Sequence, residues 1–130
     1  MIDTPALDMR AIRKSFPGVR ALDGVDFDCR AGEVHALCGE NGAGKSTLMK
    51  ILGAVYRPDS GQLRINGEVT DFRHPRDARA AGISIVHQEL SLMPFRTVAE
   101  NVFVGQEPTL HGLLDRKHME RRTEEQLRRL

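Results

Sequence analysis

Near the start of the chain, apolar and polar residues alternate: Leu7, Met9 and Ala11 stand between polar neighbours. The pattern returns at Val25, Phe27 and Cys29 against Asp26, Asp28 and Arg30. A period of two predicts a pair of half-buried antiparallel strands. After the Ala31-Gly32 turn comes Val34-His35-Ala36-Leu37-Cys38, a nearly continuous apolar run that predicts a strand covered on both faces. That run feeds a glycine-rich loop, and beyond it the period changes. Leu48, Ile51 and Leu52 share one face of a predicted helix, which Gly53 is placed to end.

Farther on, Pro58-Asp59-Ser60-Gly61 makes a turn, Leu63 and Ile65 alternate, and Asn66-Gly67 signals a hairpin over Gln62 to Thr70. Pro75 suits a first helical position, Arg76 to Ala81 continues that helix, and Gly82 stops it. Ile83 to Val86 predicts another buried strand. Thr97 and Glu100 have the spacing of a capping box, opening a helix that Gly105 closes. A last helix is predicted after Asp115, with Met119, Thr123, Leu127 and Leu130 on one stripe and Glu124–Arg128 and Glu125–Arg129 as surface pairs.

Composition narrows the class. The chain has 130 residues, 19 Lys and Arg against 18 Asp and Glu, and a hydrophobic fraction of 40%. These values suit a soluble globular domain rather than a disordered one. So even a charge balance gives no reason to expect a nucleic-acid partner. No apolar stretch approaches the roughly 20 residues of a membrane helix, and the first ten positions lack a signal-peptide pattern, so the sequence reads as cytosolic. Two cysteines, Cys29 and Cys38, are too few for a disulfide scaffold and read as reduced packing residues.

The chemistry concentrates in Gly39-Glu40-Asn41-Gly42-Ala43-Gly44-Lys45-Ser46, followed by Thr47. This run fits the phosphate-loop pattern, between a predicted strand and a predicted helix as that motif requires. Glycines let the backbone curl so that successive N–H groups point at one anion, and the helix start adds partial positive charge. Lys45 is the residue expected to reach the β and γ phosphates, and Ser46 the one to put a hydroxyl on magnesium. A dinucleotide fingerprint fails, because Thr47 stands where its third glycine belongs and Lys45 is foreign to it.

Three stretches then point to a family: KSFPGVRAL, GENGAGKSTLMKILGAVYRPDSG and IVHQELSLMPFRTVAENVFVGQEP, which together cover most of Lys14 to Pro108. In them the chain resembles the ATP-binding subunits of ABC transporters, and among these the bacterial importers of ribose, galactose and xylose type. The resemblance implies an α/β fold: part of a P-loop NTPase core joined to the family's antiparallel β subdomain. It implies ATP and Mg2+ as ligands, with Phe16 stacking on adenine and Gln88 joining Ser46 at magnesium. Read without it, Phe16 is a core aromatic and Gln88 a surface amide; the resemblance also makes His87 a packing residue rather than a base, since it places the family's catalytic histidine far later in the chain. The apolar segment from Leu90 to Phe95 either folds into the core or forms a docking surface for the transmembrane permease.

The family's signature sequence, its apolar strand ending in Asp-Glu and its switch histidine have no counterpart here. The resemblance therefore implies that residues 1–130 are the N-terminal part of the first of two nucleotide-binding domains. As partners it implies permease subunits, a second nucleotide-binding domain and, indirectly, a periplasmic sugar-binding protein, at the cytoplasmic face of the membrane. The parent would couple ATP hydrolysis to sugar import; this chain, with no catalytic residue of its own, would bind ATP without turning it over. The rival class is a P-loop nucleotide kinase or GTPase-like switch, which has no reason to place HQEL and TVAEN after the loop.

Overall fold

A computed structural model of the chain describes residues 4–86 and 92–129. They form two compact units, Met1–Val86 and His87–Leu130. The first is built on a four-stranded antiparallel sheet: β1 (Leu7–Phe16), β2 (Val19–Cys29), β3 (Ser60–Ile65) and β4 (Glu68–Thr70), in the order β2-β1-β3-β4. Helix α1 (Lys45–Leu52) packs its apolar stripe on this sheet. Leu48 and Ile51 meet Met9, Ile12, Leu22 and Leu63 in one buried cluster, with Phe27, Tyr56 and Phe72 at its margin. Each large side chain so buried contributes about 1.5–3 kcal/mol.

The alternation in β1 breaks at Ala11, a position that no local pattern marks. Ala11, expected to face inward, is exposed with φ 50, and Ile12 is the residue that enters the core. The ladder shifts register between Met9 and Ile12, the mark of a β-bulge. Two groups hold it. The Ala11 amide donates to Asp26 Oδ1 at 2.6 Å. On the other side β3 approaches through Gly61, where an added Cβ would lie 2.7 Å from the carbonyl oxygens of Arg10 and Ala11.

Most other expectations hold. Asn66 and Gly67 both have positive φ, 51 and 85, and turn β3 into β4 as a two-residue hairpin. Helix α2 (Pro75–Ala80) starts on its proline, and Asp77 reaches back to accept from the Arg73 and His74 amides at 3.0 and 2.9 Å. Gly53 caps α1 with an ordinary φ of −78, so its glycine answers to space: an added Cβ would land on Ile85 Cδ1.

Two predicted strands are not formed. Residues 34–38 and 83–86 join no ladder among the described residues, and Val34 and Val86 are 98% and 94% exposed. A strand of a parallel sheet is defined by its neighbours, and no described segment hydrogen-bonds along either one. Cys38 is accordingly exposed rather than packed, and Cys29 half-buried.

In the second unit, α3 (Val98–Val102) packs against α4 (Arg116–Leu127), and β5 (Thr109–Leu110) with β6 (Leu113–Leu114) forms a short hairpin between them. The capping box is present: Thr97 Oγ1 accepts from the Glu100 amide at 3.2 Å, and Glu100 Oε2 from the Thr97 amide at 2.9 Å. The stripe of α4 is shorter than expected. Met119 and Thr123 are buried, but Leu127 is 53% exposed, beyond the reach of the five-residue α3. Arg128 pairs with Glu124 at 2.6 Å as expected, whereas Glu125 pairs with Arg122.

Gly61→Ala is therefore expected to lose about 2 kcal/mol or more in urea unfolding, since backbone at the bulge must move. Ala11→Gly is expected to be neutral or to gain up to about 1 kcal/mol, because it removes a left-handed alanine. Backbone hydrogen bonds hold the Asp77 and Glu100 carboxyls below their ordinary range, from Arg73 in the first case and from Thr97 in the second. A lowered folded-state value contributes stability that is present above the unfolded carboxyl range and is lost as pH falls through the folded value. Thermal unfolding followed from pH 7 down to pH 3 should show that loss, and it should be blunted in Glu100→Gln.

Candidate functional site

The loop from Gly39 to Thr47 rests on β2 at Gly44. Gly44 is the N-cap of α1, with φ 88 and ψ −2, a backbone that only glycine adopts readily. An added Cβ would come within 2.5 Å of the Ala21 carbonyl oxygen and 2.7 Å of Leu22 Cδ2. Before it, the Ala43 amide donates to the Glu40 carbonyl at 3.2 Å; after it, the Leu48 amide donates to the Gly44 carbonyl at 2.9 Å and begins the helix. Residues 39–43 are exposed.

The start of α1 differs from those of the other described helices. Thr97 caps α3, the Asp115 side chain accepts from the His118 amide at the start of α4, and Asp77 serves α2. Helix α1 has no side-chain cap and no acidic residue in its first turn. Its unpaired amides and partial positive charge are left for something outside the helix. Lys45 adds a full charge beside them. Its Nζ folds back to donate to the carbonyls of Gly39 and Glu40 at 2.6 and 2.7 Å, neutral partners that leave the ammonium uncompensated.

The donor set thus fits an oxyanion: backbone amides, one ammonium, and the hydroxyls of Ser46 and Thr47. A hard cation would find the exposed Ser46 hydroxyl, an oxygen ligand of the right kind. Among the described residues no group of three or more His, Cys, Asp or Glu could hold a metal ion. Gln88, expected at magnesium, lies outside the described residues, as do His87 and Leu90.

Phe16 ends β1, half-buried rather than in the core, with its ring edge-on to Tyr56 at 5.2 Å between centroids and Lys14 Nζ 5.7 Å from its centroid. Its link to the loop runs through the sheet. Lys14 pairs across the ladder with Leu22, the residue that supports Gly44, and Phe16 is two residues, or about 7 Å, farther along the strand.

The described part of the apolar segment, Leu92 to Phe95, does not enter the core. Leu92 is 68% exposed and Phe95 99%. Met93-Pro94-Phe95-Arg96 forms a turn closed by the Arg96 amide on the Met93 carbonyl at 3.1 Å, with Phe95 at its tip. Asn101, to which sequence reasoning assigned no role, holds this turn. Its Oδ1 accepts from the Met93 amide at 2.7 Å, and its Nδ2 donates to the carbonyls of Met93, Arg96 and Thr97 at 3.1, 3.3 and 3.0 Å. The signal was an asparagine, a poor helix former, one turn inside a five-residue helix.

A glycine-seated loop, an uncapped helix start and a lysine folded onto the loop carbonyls stand together at residues 39–47. Residues 22–130 match the family model described as ABC transporter, and the chain belongs to that family. It is 54% identical over 126 residues to the ribose import ATP-binding protein RbsA 1 of Rubrobacter xylanophilus, covering 97% of this chain and 25% of that protein. It is 57% identical over 118 residues to a putative ribose/galactose/methyl galactoside import ATP-binding protein of Burkholderia cenocepacia, covering 90% and 22%. To the arabinose import ATP-binding protein AraG of Yersinia pestis it is 54% identical over 114 residues, covering 88% and 22%. The chain thus spans about a quarter of the length of these relatives. Its fold matches a nucleotide-free ATP-binding cassette from an ABC transporter with a TM-score of 0.74 at 27% identity, over 95% of this chain and 52% of that one. A bacterial Atm1-family ABC exporter with ATP bound gives 0.67 at 26% identity, over 85% and 19%. The fold is therefore α/β, an antiparallel β subdomain joined to part of a P-loop core.

Gly44→Ala is expected to cost about 2 kcal/mol or more, because either α1 or the Ala21 carbonyl must move. Chemical denaturation checks the stability, and loss of binding to inorganic tripolyphosphate checks the loop.

Proposed function

We propose that this chain is the N-terminal part of a nucleotide-binding domain that couples ATP hydrolysis to import of a sugar. The carrying observation is the uncapped, lysine-bearing start of α1 in a chain of this family. The names of its relatives, ribose, galactose and arabinose import ATP-binding proteins, favour a monosaccharide importer over a nucleotide kinase or GTPase-like switch. In this reading the amides of residues 39–47 and Lys45 bind the phosphates, Phe16 orients the base, and Ser46 and Gln88 hold magnesium. Bound magnesium would supply charge neutralisation at the phosphates. Catalytic groups come from beyond these residues and from an opposing domain, so residues 1–130 alone bind ATP without turnover.

The turn held by Asn101 presents Phe95 to a permease subunit, with Leu90 to Phe95 as the docking segment. An exposed Phe and Met beside each other suit a contact surface, one by area and the other by adaptability. No helix of the described residues is long and apolar enough to cross a membrane, and this reading sets the domain peripherally at the cytoplasmic face. A periplasmic sugar-binding protein would be an indirect partner.

Calorimetric titration should show weak magnesium-dependent ATP binding, abolished by Lys45→Ala and weakened by Phe16→Ala by about 1–3 kcal/mol, the scale of base stacking. Unchanged binding in Lys45→Ala would reject the phosphate-loop assignment. In the full-length protein, Met93→Glu with Phe95→Glu should leave ATP binding intact and reduce sugar uptake. Normal uptake would reject the docking surface.

A further inference from the structure

Asp59 has no part in the site as described, yet three consecutive residues at the end of β1 are fixed on it. It lies in the turn that leads into β3. One carboxylate oxygen accepts from Lys14 Nζ at 2.8 Å, the other from the Ser15 amide at 2.7 Å, and its own amide donates to the Arg13 carbonyl at 2.8 Å. The pairing of β1 with β3 stops at Arg13 and Ser60. Past that rung the β3 side of β1 has no strand partner, and Asp59 serves the Ser15 amide in its place. Phe16 is the next residue.

Lys14 is shared. The same ammonium that Asp59 binds stands 5.7 Å from the Phe16 ring centroid, and its side chain is only 17% exposed. Tyr56 meets the ring in a T-shaped contact, and its amide donates to the Lys50 carbonyl at the end of α1. The ring is therefore held by two contacts, the Tyr56 ring and a strand end clamped through Asp59. Hydrogen bonds from Lys14 and then from Ser15 hold the Asp59 carboxyl below its ordinary range, which keeps it ionised for both contacts.

We propose that Asp59 is a positioning residue for nucleotide: by fixing Ser15 and Lys14 it holds Phe16 where the base stacks, and so contributes to affinity for the base but not for the phosphates. This rests on the reading of Phe16 as the stacking ring. A ring already held in its bound orientation has less freedom to lose on binding, so releasing the clamp weakens stacking without touching the loop.

The experiment compares ATP with inorganic tripolyphosphate, each with magnesium, titrated calorimetrically into the 130-residue chain. Asp59→Ala should weaken ATP roughly tenfold, a part of the stacking contribution, and leave tripolyphosphate unchanged, which also reports that the loop is folded. Asp59→Asn keeps an acceptor for Ser15 but loses the Lys14 ion pair, and should lower the ATP-to-tripolyphosphate ratio roughly threefold, a smaller share of the same contribution. With Phe16→Ala in place, Asp59→Ala should have no further effect, as for two residues acting through one contact. An unchanged ratio in Asp59→Asn, an equal loss of both ligands in Asp59→Ala, or additive effects with Phe16→Ala would overturn the proposal. If Phe16→Ala itself leaves the ratio unchanged, the stacking reading fails and takes the proposal with it. If Phe16→Ala lowers the ratio and the Asp59 variants do not, the proposal fails alone.

Discussion

The seat of Gly44 on β2 is the contact on which the rest of the first unit depends. Bringing a helix start against the Ala21 carbonyl requires a residue without a side chain and with a left-handed backbone, and Gly44 meets both demands. Once it is seated, Leu48 and Ile51 fall over Met9, Ile12, Leu22 and Leu63, and the core closes. The same seat fixes the loop relative to the hairpin that carries Phe16. Fold and candidate site are therefore one constraint: a methyl group at residue 44 would disturb packing and loop geometry together.

The sheet adapts to that seat by departing from regular pleating. The bulge at Ala11 shifts the inward face of β1 by one residue, so that Met9 and Ile12 both reach the core. Beyond it, Asp59 takes the place of a strand partner. Carboxylates on backbone amides recur in this chain, at Asp26, Asp59, Asp77, Glu100 and Asp115. Each fixes a strand end, a bulge or a helix start, and α1 is the helix start they leave free.

Features written in local patterns were legible in the sequence. The stripe of α1, the Asn66-Gly67 hairpin, the Thr97–Glu100 box and the Asp115 cap need only nearby residues. What was missed depends on distant partners. The bulge at Ala11 is set by Asp26 and Gly61, neither near it in sequence. Residues 34–38 and 83–86 have the composition of buried strands, but a strand needs a neighbour, and Val34 and Val86 are in the open. Phe95 and Asn101 show the same limit at short range: hydropathy alone could not tell a buried phenylalanine from one raised on a turn, because one hydrogen bond accepted and three donated by the Asn101 side chain hold that turn.

The way Lys45 is held bears on which ligands can engage it. Its ammonium already has two short hydrogen bonds to carbonyl oxygens of its own loop, so a ligand must exchange for those bonds rather than add to an idle charge. A neutral or weakly charged group gains little from such an exchange, whereas an oxygen of a polyphosphate competes with carbonyls through full opposite charge. In the proposed site, Lys45 would therefore favour ligands of high charge density over neutral ones.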